Sequence, residues 1–177
     1  MLILLALAAH EAAHLFSAVI LNIKFDKVKI TLFGFNLNAD LDNICLIKKV
    51  ILFISGPVCN AFLYLGFRNT AYSNFADINI FLACINMIPI VPLDGGNICK
   101  TVLEIFLDLK SVCRYIIMTN TFFIVCFLII IYIYRNYLYF LLIIMALKGI
   151  IEENRHLLEK SIRNSYNKLK IKKYLIK

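Results

Sequence analysis

The chain has 177 residues, of which 62% are hydrophobic, and its mean hydropathy is +0.82. This composition excludes an ordinary soluble domain, in which about half of the residues are apolar, and predicts a single-domain integral membrane protein. The net charge of +8 does not indicate a nucleic-acid partner, because eight Lys or Arg and three Glu lie in residues 152–177. A polybasic tail beside a membrane segment binds anionic lipid or stays solvated.

The first predicted element is an apolar helix from about Leu2 to Leu21, which is long enough to span a membrane. It carries the sequence His10-Glu11-Ala12-Ala13-His14. Histidines four residues apart lie on one face of a helix, so both imidazoles can bind one metal ion. Glu11 lies beside them, where it can take a proton from a metal-bound water. Ionisable groups near the bilayer midplane indicate function; the alternative is that the histidines only hydrogen-bond polar groups of a bundle.

Residues 23–43 are more polar and predict a small membrane-associated β-hairpin after the first span. Apolar and polar residues alternate over Val28–Leu32 and again around Phe35–Asn38, as they do in half-exposed strands. The open edges of such strands lie outside the hydrocarbon or against protein. An open strand edge can bind an extended peptide as one more strand. The hairpin and the loop at Pro89–Leu93 are the two candidates to hold an extended peptide substrate in this way.

Four further spans are predicted, which gives about five transmembrane helices and an α-helical polytopic membrane fold. They are Val50–Phe67, Ile78–Leu93, Tyr115–Tyr134 and Asn136–Ile151, with an amphipathic helix over Asn97–Leu109. The third span is short and broken by prolines, which is tolerated only where it lines a cavity or faces protein. The domain is expected over residues 1–151, followed by a basic tail over residues 152–177.

The distribution of Lys and Arg orients these spans. When the spans alternate across the membrane, 17 of the 19 Lys and Arg residues lie on one side. Only Arg68 and Arg135 lie on the other side. The positive-inside rule puts the larger set in the cytoplasm. The protein is therefore expected to be a multi-pass membrane protein whose basic C-terminal tail is cytoplasmic and whose N-terminus lies outside.

Asp94 is the best candidate for a third metal ligand. A catalytic zinc site usually has three protein ligands and one open position. Asp94 ends the broken third span, and the glycines after it let the backbone approach closely. Its alternative role is to cap the helix that starts near Gly96. Other carboxylates fit solvent-facing positions better; they are Asp77, Glu104 and Asp108. The six scattered cysteines predict neither disulfides nor a thiolate zinc site.

Three sequence motifs resemble those of the site-2 proteases, the intramembrane zinc metalloproteases. They are His10–His14, the run Asn86-Met87-Ile88-Pro89-Ile90-Val91-Pro92-Leu93-Asp94-Gly95-Gly96, and Ser55-Gly56-Pro57-Val58-Cys59-Asn60, which is similar to a Gly-Pro-x-x-Asn element. They occur in the family's order and cover roughly residues 1–110. The resemblance implies that His10, His14 and Asp94 bind Zn²⁺ and that Glu11 is the general base. It implies substrate-binding roles for Asn60 and Asn86; the alternative for each is an interhelical hydrogen bond.

The layout is most like the bacterial and archaeal branch that includes stage IV sporulation protein FB. The resemblance therefore implies a bacterial cell membrane and a membrane-tethered protein substrate, such as a sporulation sigma-factor pro-form. Membrane regulatory proteins and the lipid bilayer are the other expected partners. The family normally has a span before the motif helix, whereas this sequence starts in that helix. The difference suggests a truncated or mis-started gene. Two other functions stay open, namely a membrane metal-binding transporter and an inactive truncated homologue.

Overall fold

The computed structural model describes residues 1–23, 25–31, 34–39, 44–137 and 139–175. In the strands, and at 156, 160, 161 and 163–175, only the backbone is described. The elements in chain order are α1 (Leu2–Ile20), β1 (Phe25–Thr31), β2 (Gly34–Ala39), α2 (Leu46–Phe67), α3 (Ser73–Asn86), α4 (Asp94–Phe106), α5 (Leu109–Tyr134) and α6 (Tyr139–Leu175). The described part of the chain is therefore mostly helical.

The chain divides into two compact units, of which the first comprises Met1–Pro89 and Leu93–Val102. Within it α1, α2 and α3 pack on one another. Ala18, Ile23 and Leu52 form a buried apolar cluster that joins the end of α1 to α2. This packing fixes the histidine face of α1 against α2.

Two strands follow α1 and pair antiparallel as β1 and β2. Val28 lies opposite Leu37 and Ile30 opposite Phe35, and the register shifts between Phe25 and Lys27. The segment in which the hairpin is predicted also includes residues 24, 32, 33 and 40–43, which lie outside the described residues. The strand-addition role of this segment stays a prediction.

The second unit comprises Ile90–Pro92 and Leu103–Lys177. Helices α5 and α6 pack along each other, and Val91 joins Val112 and Ile116 in a buried cluster. The fully buried Asn120 of α5 donates through Nδ2 to the carbonyl oxygens of Val91 (2.9 Å) and Ala146 (3.1 Å). Its Oδ1 accepts from the Val91 amide at 3.2 Å. One side chain therefore fixes the backbone of the Ile90–Pro92 segment.

Three helices in the described chain are long and apolar enough to cross a membrane, namely α1, α2 and α5. The predicted third span differs from the helix observed there, because α3 has 14 residues and ends before Pro89. Pro89 has no backbone N–H to donate to a helical carbonyl, and it disfavours helical geometry in Ile88 before it. The apolar part of α6, residues 139–151, is about 20 Å long at 1.5 Å per residue, which is less than a hydrocarbon core of about 30 Å. The count of five spans stays a prediction.

Helix boundaries also differ from the predicted ones at α5 and α6. Helix α5 starts at Leu109, six residues before the predicted span. Asp108 is its N-cap residue and has an extended backbone, and the Ser111 hydroxyl donates to Oδ1 of Asp108 at 2.7 Å. Asp is among the residues preferred at this position. Helix α6 runs through Ile151 to Leu175 without a break, so the expected tail continues the last helix.

Candidate metal centre

His10 and His14 lie on the face of α1 that is packed against the protein. Their exposed fractions are 3% and 8%, although most of α1 is apolar and lipid-compatible. The spacing of four residues places the two rings one turn apart, with centroids separated by 4.7 Å. Their Nε2 atoms are 3.1 Å apart. Two good metal-ligand atoms therefore converge on one buried point.

Asp94, the first residue of α4, completes a group of three. Its Oδ2 lies 3.0 Å from Nε2 of His10 and 3.3 Å from Nε2 of His14. Ligand atoms of a tetrahedral zinc ion, each about 2.0–2.1 Å from the metal, lie about 3.3 Å apart. The three edges of this triangle fit that value closely. Among the described residues this is the one cluster of three His, Cys, Asp or Glu with ligand atoms within 4.8 Å.

The second nitrogen of each imidazole has its own acceptor on α2. Nδ1 of His10 lies 3.2 Å from Oδ1 of Asn60, and Nδ1 of His14 lies 2.8 Å from the carbonyl oxygen of Leu52. Both acceptors require the ring proton on Nδ1, which leaves the Nε2 lone pairs for a metal. Such outer contacts set the tautomer and the ring orientation of histidine ligands.

Two serines extend the support around His14. The Ser17 hydroxyl donates to the His14 carbonyl at 2.8 Å and lies 3.0 Å from the Ser55 hydroxyl. Ser55 in turn donates to the Leu52 carbonyl at 2.7 Å and lies 3.2 Å from Nδ1 of His14. Neither serine is among the site residues predicted from the sequence. Only their positions could have indicated a role, because Ser55 precedes the Gly-Pro pair and Ser17 lies one turn after His14.

Gly56 provides the space in which the ligand atoms meet. A Cβ atom at this position would lie 2.6 Å from Cε1 and 2.7 Å from Nε2 of His10, and closer still to Nε2 of His14. No side chain fits there without displacing the imidazoles. The Gly of the Gly-Pro-x-x-Asn element is therefore a requirement of the histidine pair, and the Asn is a partner of His10.

Gly95 has a similar effect on Asp94. A Cβ on Gly95 would collide with the backbone of the turn after α3, at the carbonyl of Met87 and, at 2.7 Å, the carbonyl oxygen of Ile88. Because glycine lacks this atom, the start of α4 lies directly against that turn. The close approach places Asp94, which faces the histidines instead of only capping α4.

A sequence model of Peptidase family M50 matches residues 65–131. A Synechocystis sp. protein, provisionally named a zinc metalloprotease, is 26% identical over 114 residues; the match covers 58% of this chain and 30% of that relative. The fold is similar to that of the site-2 protease from Methanocaldococcus jannaschii, with a TM-score of 0.66 at 17% identity over 87% of this chain and 74% of that one. The similarity to the Methanocaldococcus jannaschii protein shows a shared fold. The chain spans less than a third of the Synechocystis relative.

The M50 match covers only part of the candidate site. The matched range contains Asn86 and Asp94 but not the histidine motif of α1. The structure brings His10, His14 and Asp94 together, and the half-buried Glu11 directly follows His10. The other predicted carboxylates do not join the group.

The two predicted substrate-binding asparagines differ in position. Asn60 is fully buried, and its Oδ1 contacts Nδ1 of His10. Its Nδ2 has no hydrogen-bond partner within the described chain. Asn86 is the last residue of α3 and is half-buried. No hydrogen bond joins it to the three ligand residues. Contact of either asparagine with a substrate stays a prediction.

Proposed function

We propose that this protein is a zinc-dependent intramembrane endopeptidase that hydrolyses a peptide bond in or near a transmembrane segment of a membrane-tethered protein. The observation that carries the proposal is the triangle of Nε2, Nε2 and Oδ2 atoms, with edges of 3.0–3.3 Å. Its two nitrogen atoms belong to α1, a helix apolar enough to cross a membrane. A buried, preoriented ligand set with a neighbouring carboxylate fits metal-assisted hydrolysis.

The residues fit zinc in number, in type and in the space they leave. Two imidazole nitrogens and one carboxylate oxygen are a ligand set typical of catalytic zinc, with one further position open. The space that a Gly56 Cβ would fill lies at the convergence of the ligand atoms. A zinc ion bound here supplies Lewis acidity and an activated water.

The remaining chemistry belongs to the side chains. Glu11 takes the proton of the attacking water and passes it to the leaving nitrogen of the substrate. Asn60 and the Leu52 carbonyl hold the two imidazoles in place through their Nδ1 protons. The scissile segment must be extended, because carbonyl groups inside a helix are hydrogen-bonded and shielded. Asn86 is proposed to contact this segment.

The proposed setting is a bacterial cell membrane. Five spans, a cytoplasmic basic tail over residues 152–177 after a domain of residues 1–151, and membrane regulatory proteins belong to this proposal. The Lys and Arg distribution supports the orientation. The narrower substrate, a sporulation sigma-factor pro-form, rests on the layout of the sequence alone.

A metal-binding transporter is the second candidate, because it too needs a buried ionisable site within the membrane. The glycine and the Nδ1 acceptors fit both functions, but Glu11 separates them. A hydrolase needs this carboxylate for proton transfer while its metal is held by other residues. An inactive homologue would bind zinc and cleave nothing.

Glu11→Gln is the decisive variant. The chain is co-expressed with single-span test proteins tagged at both ends, one of them a tethered sigma-factor pro-form, and fragments are detected on blots. Zinc content is measured by mass spectrometry of the purified protein. We expect Glu11→Gln to abolish cleavage and keep zinc, and Glu152→Gln on α6 to change neither. Zinc flux into vesicles without any cleavage would favour the transporter and refute the proposal.

A further inference from the structure

An open groove of about 420 Å³ lies between α5 and α6 in the second unit. Two cations and four apolar side chains line it; they are Lys110, Arg114, Ile117, Met118, Leu157 and Leu158. The first four share one face of α5 at helical spacing, so this wall is charged at its start and apolar toward Met118. Leu157 and Leu158 form an apolar wall opposite the charged start, because α5 and α6 run antiparallel, with Cys113 against Glu153 and Asn120 against Ala146. A ligand that fills it must be an anion joined to an apolar chain.

The depth of these residues matches the layers of a membrane. The uncharged part of α5, Tyr115–Tyr134, is about 30 Å long at 1.5 Å per residue, which equals a typical hydrocarbon core. Lys110 and Arg114 precede it and therefore lie at the depth of the lipid headgroups. Met118 lies about 6 Å further along the axis than Arg114, at the depth of the upper acyl chains.

The two cations have no carboxylate partner within the described chain. Asp108, the nearest acid in the sequence, accepts the Ser111 hydroxyl. The described acids of α6 are engaged elsewhere; Glu152 pairs with Lys148, Glu153 accepts from the Cys113 thiol, and Glu159 pairs with Arg155. Uncompensated cations at headgroup depth attract lipid phosphate.

We propose that this groove is a binding site for one anionic phospholipid on the side of the membrane where α5 begins. The Lys110 ammonium and the Arg114 guanidinium bind the headgroup phosphate. One acyl chain lies along the apolar residues toward Met118. None of the residues that line the groove belongs to the proposed metal centre, so this proposal does not depend on proteolysis.

The absence of tryptophan from the chain permits a direct test. Met118→Trp introduces a single fluorophore beside the apolar part of the groove. Thr119→Trp introduces one only about 1.5 Å further along α5 but about 100° around the helix, at a residue that does not line the groove. Each variant is placed in nanodiscs in which either phosphatidylglycerol or phosphatidylcholine carries brominated acyl chains at equal mole fraction. Bromine quenches only fluorophores that it contacts.

We expect brominated phosphatidylglycerol to quench the Met118→Trp variant several-fold more than brominated phosphatidylcholine does. It should quench the Thr119→Trp variant no more than the neutral lipid does. Adding Lys110→Gln and Arg114→Gln should abolish the preference, whereas Arg68→Gln with Arg135→Gln, an equal loss of charge, should keep it. Quenching by phosphatidylcholine shows that each variant is inserted.

Two results would overturn the site. Equal quenching of Met118→Trp by both lipids would show that the groove has no lipid preference and is open to another occupant, such as an acidic protein segment. A preference that survives loss of Lys110 and Arg114 would assign the attraction to the overall charge of the chain.

Discussion

Gly56→Ala adds one methyl group at the point where the three ligand atoms converge. The new Cβ would lie 2.6 and 2.7 Å from two ring atoms of His10, whereas ordinary contacts begin at 3.4 Å. Both imidazoles are held from behind by α2 through Asn60 and Leu52. They cannot retreat without breaking those hydrogen bonds.

The magnitude follows from this overlap. Relief requires the rings or α2 to move by about 1 Å, whereas metal–ligand distances tolerate only about 0.2 Å. Loss of a residue that merely orients a ligand costs about 10–100-fold in metal affinity. Displacing the ligands themselves should therefore cost at least about 100-fold, with about 1–3 kcal/mol of overpacking destabilisation.

Zinc affinity is measured by competition with a chromogenic chelator, together with thermal unfolding in detergent and cleavage of the tethered test protein. Gly66→Ala is the matched control, since it lies on the same helix and its Cβ would meet nothing within 4 Å. That variant should keep zinc and activity. If Gly56→Ala binds zinc as tightly as Gly66→Ala does, the assignment of the ligand site to this convergence is wrong.

Three further substitutions test the supports of the site and of the second unit. Asn60→Leu removes the acceptor of the His10 ring proton and should weaken zinc binding by about 10–100-fold in the same chelator competition; unchanged affinity would contradict its supporting role. Gly95→Ala should push Asp94 out of the ligand group, so that a chelator removes zinc from the variant much faster than from the wild type. Equal rates of zinc removal would refute this. Asn120→Leu leaves the Val91 and Ala146 carbonyls without a donor and should destabilise the fold by about 2–5 kcal/mol, read as a lower midpoint of thermal unfolding; an unchanged midpoint would mean that other groups satisfy them.

The sequence predicted the local parts of the site better than the distant ones. The convergence of His10 and His14 follows from helical periodicity alone. Asp94 lies 84 residues away from His10, and only tertiary packing brings it there. The residues alone left its two roles open, as a ligand or as a helix cap, and the resemblance to the site-2 proteases pointed to the first.

Two kinds of feature could not be predicted from composition or periodicity. Gly56 and Gly95 act through the absence of a Cβ against atoms from other elements, which no local pattern reveals. Helix α3 ends shortly before Pro89, and helix α5 begins directly after its N-cap residue Asp108. The predicted boundaries followed hydropathy instead. Hydropathy locates apolar segments well, but helices start and end where backbone hydrogen bonds are capped or interrupted.

The support for the histidines comes from a single stripe of α2. Leu52, Gly56 and Asn60 are spaced four residues apart, so they lie on one face of that helix, and they meet the face of α1 that carries His10 and His14. The two helices run antiparallel here, because the first histidine contacts residue 60 and the second contacts residue 52. A backbone carbonyl and a side-chain amide hold the two Nδ1 protons, and the glycine between them leaves room for the Nε2 atoms. A rotation of α2 by one residue would turn all three positions away together. The Gly-Pro-x-x-Asn element is therefore the counterpart of the histidine motif, and its register on α1 decides whether the ligand atoms converge.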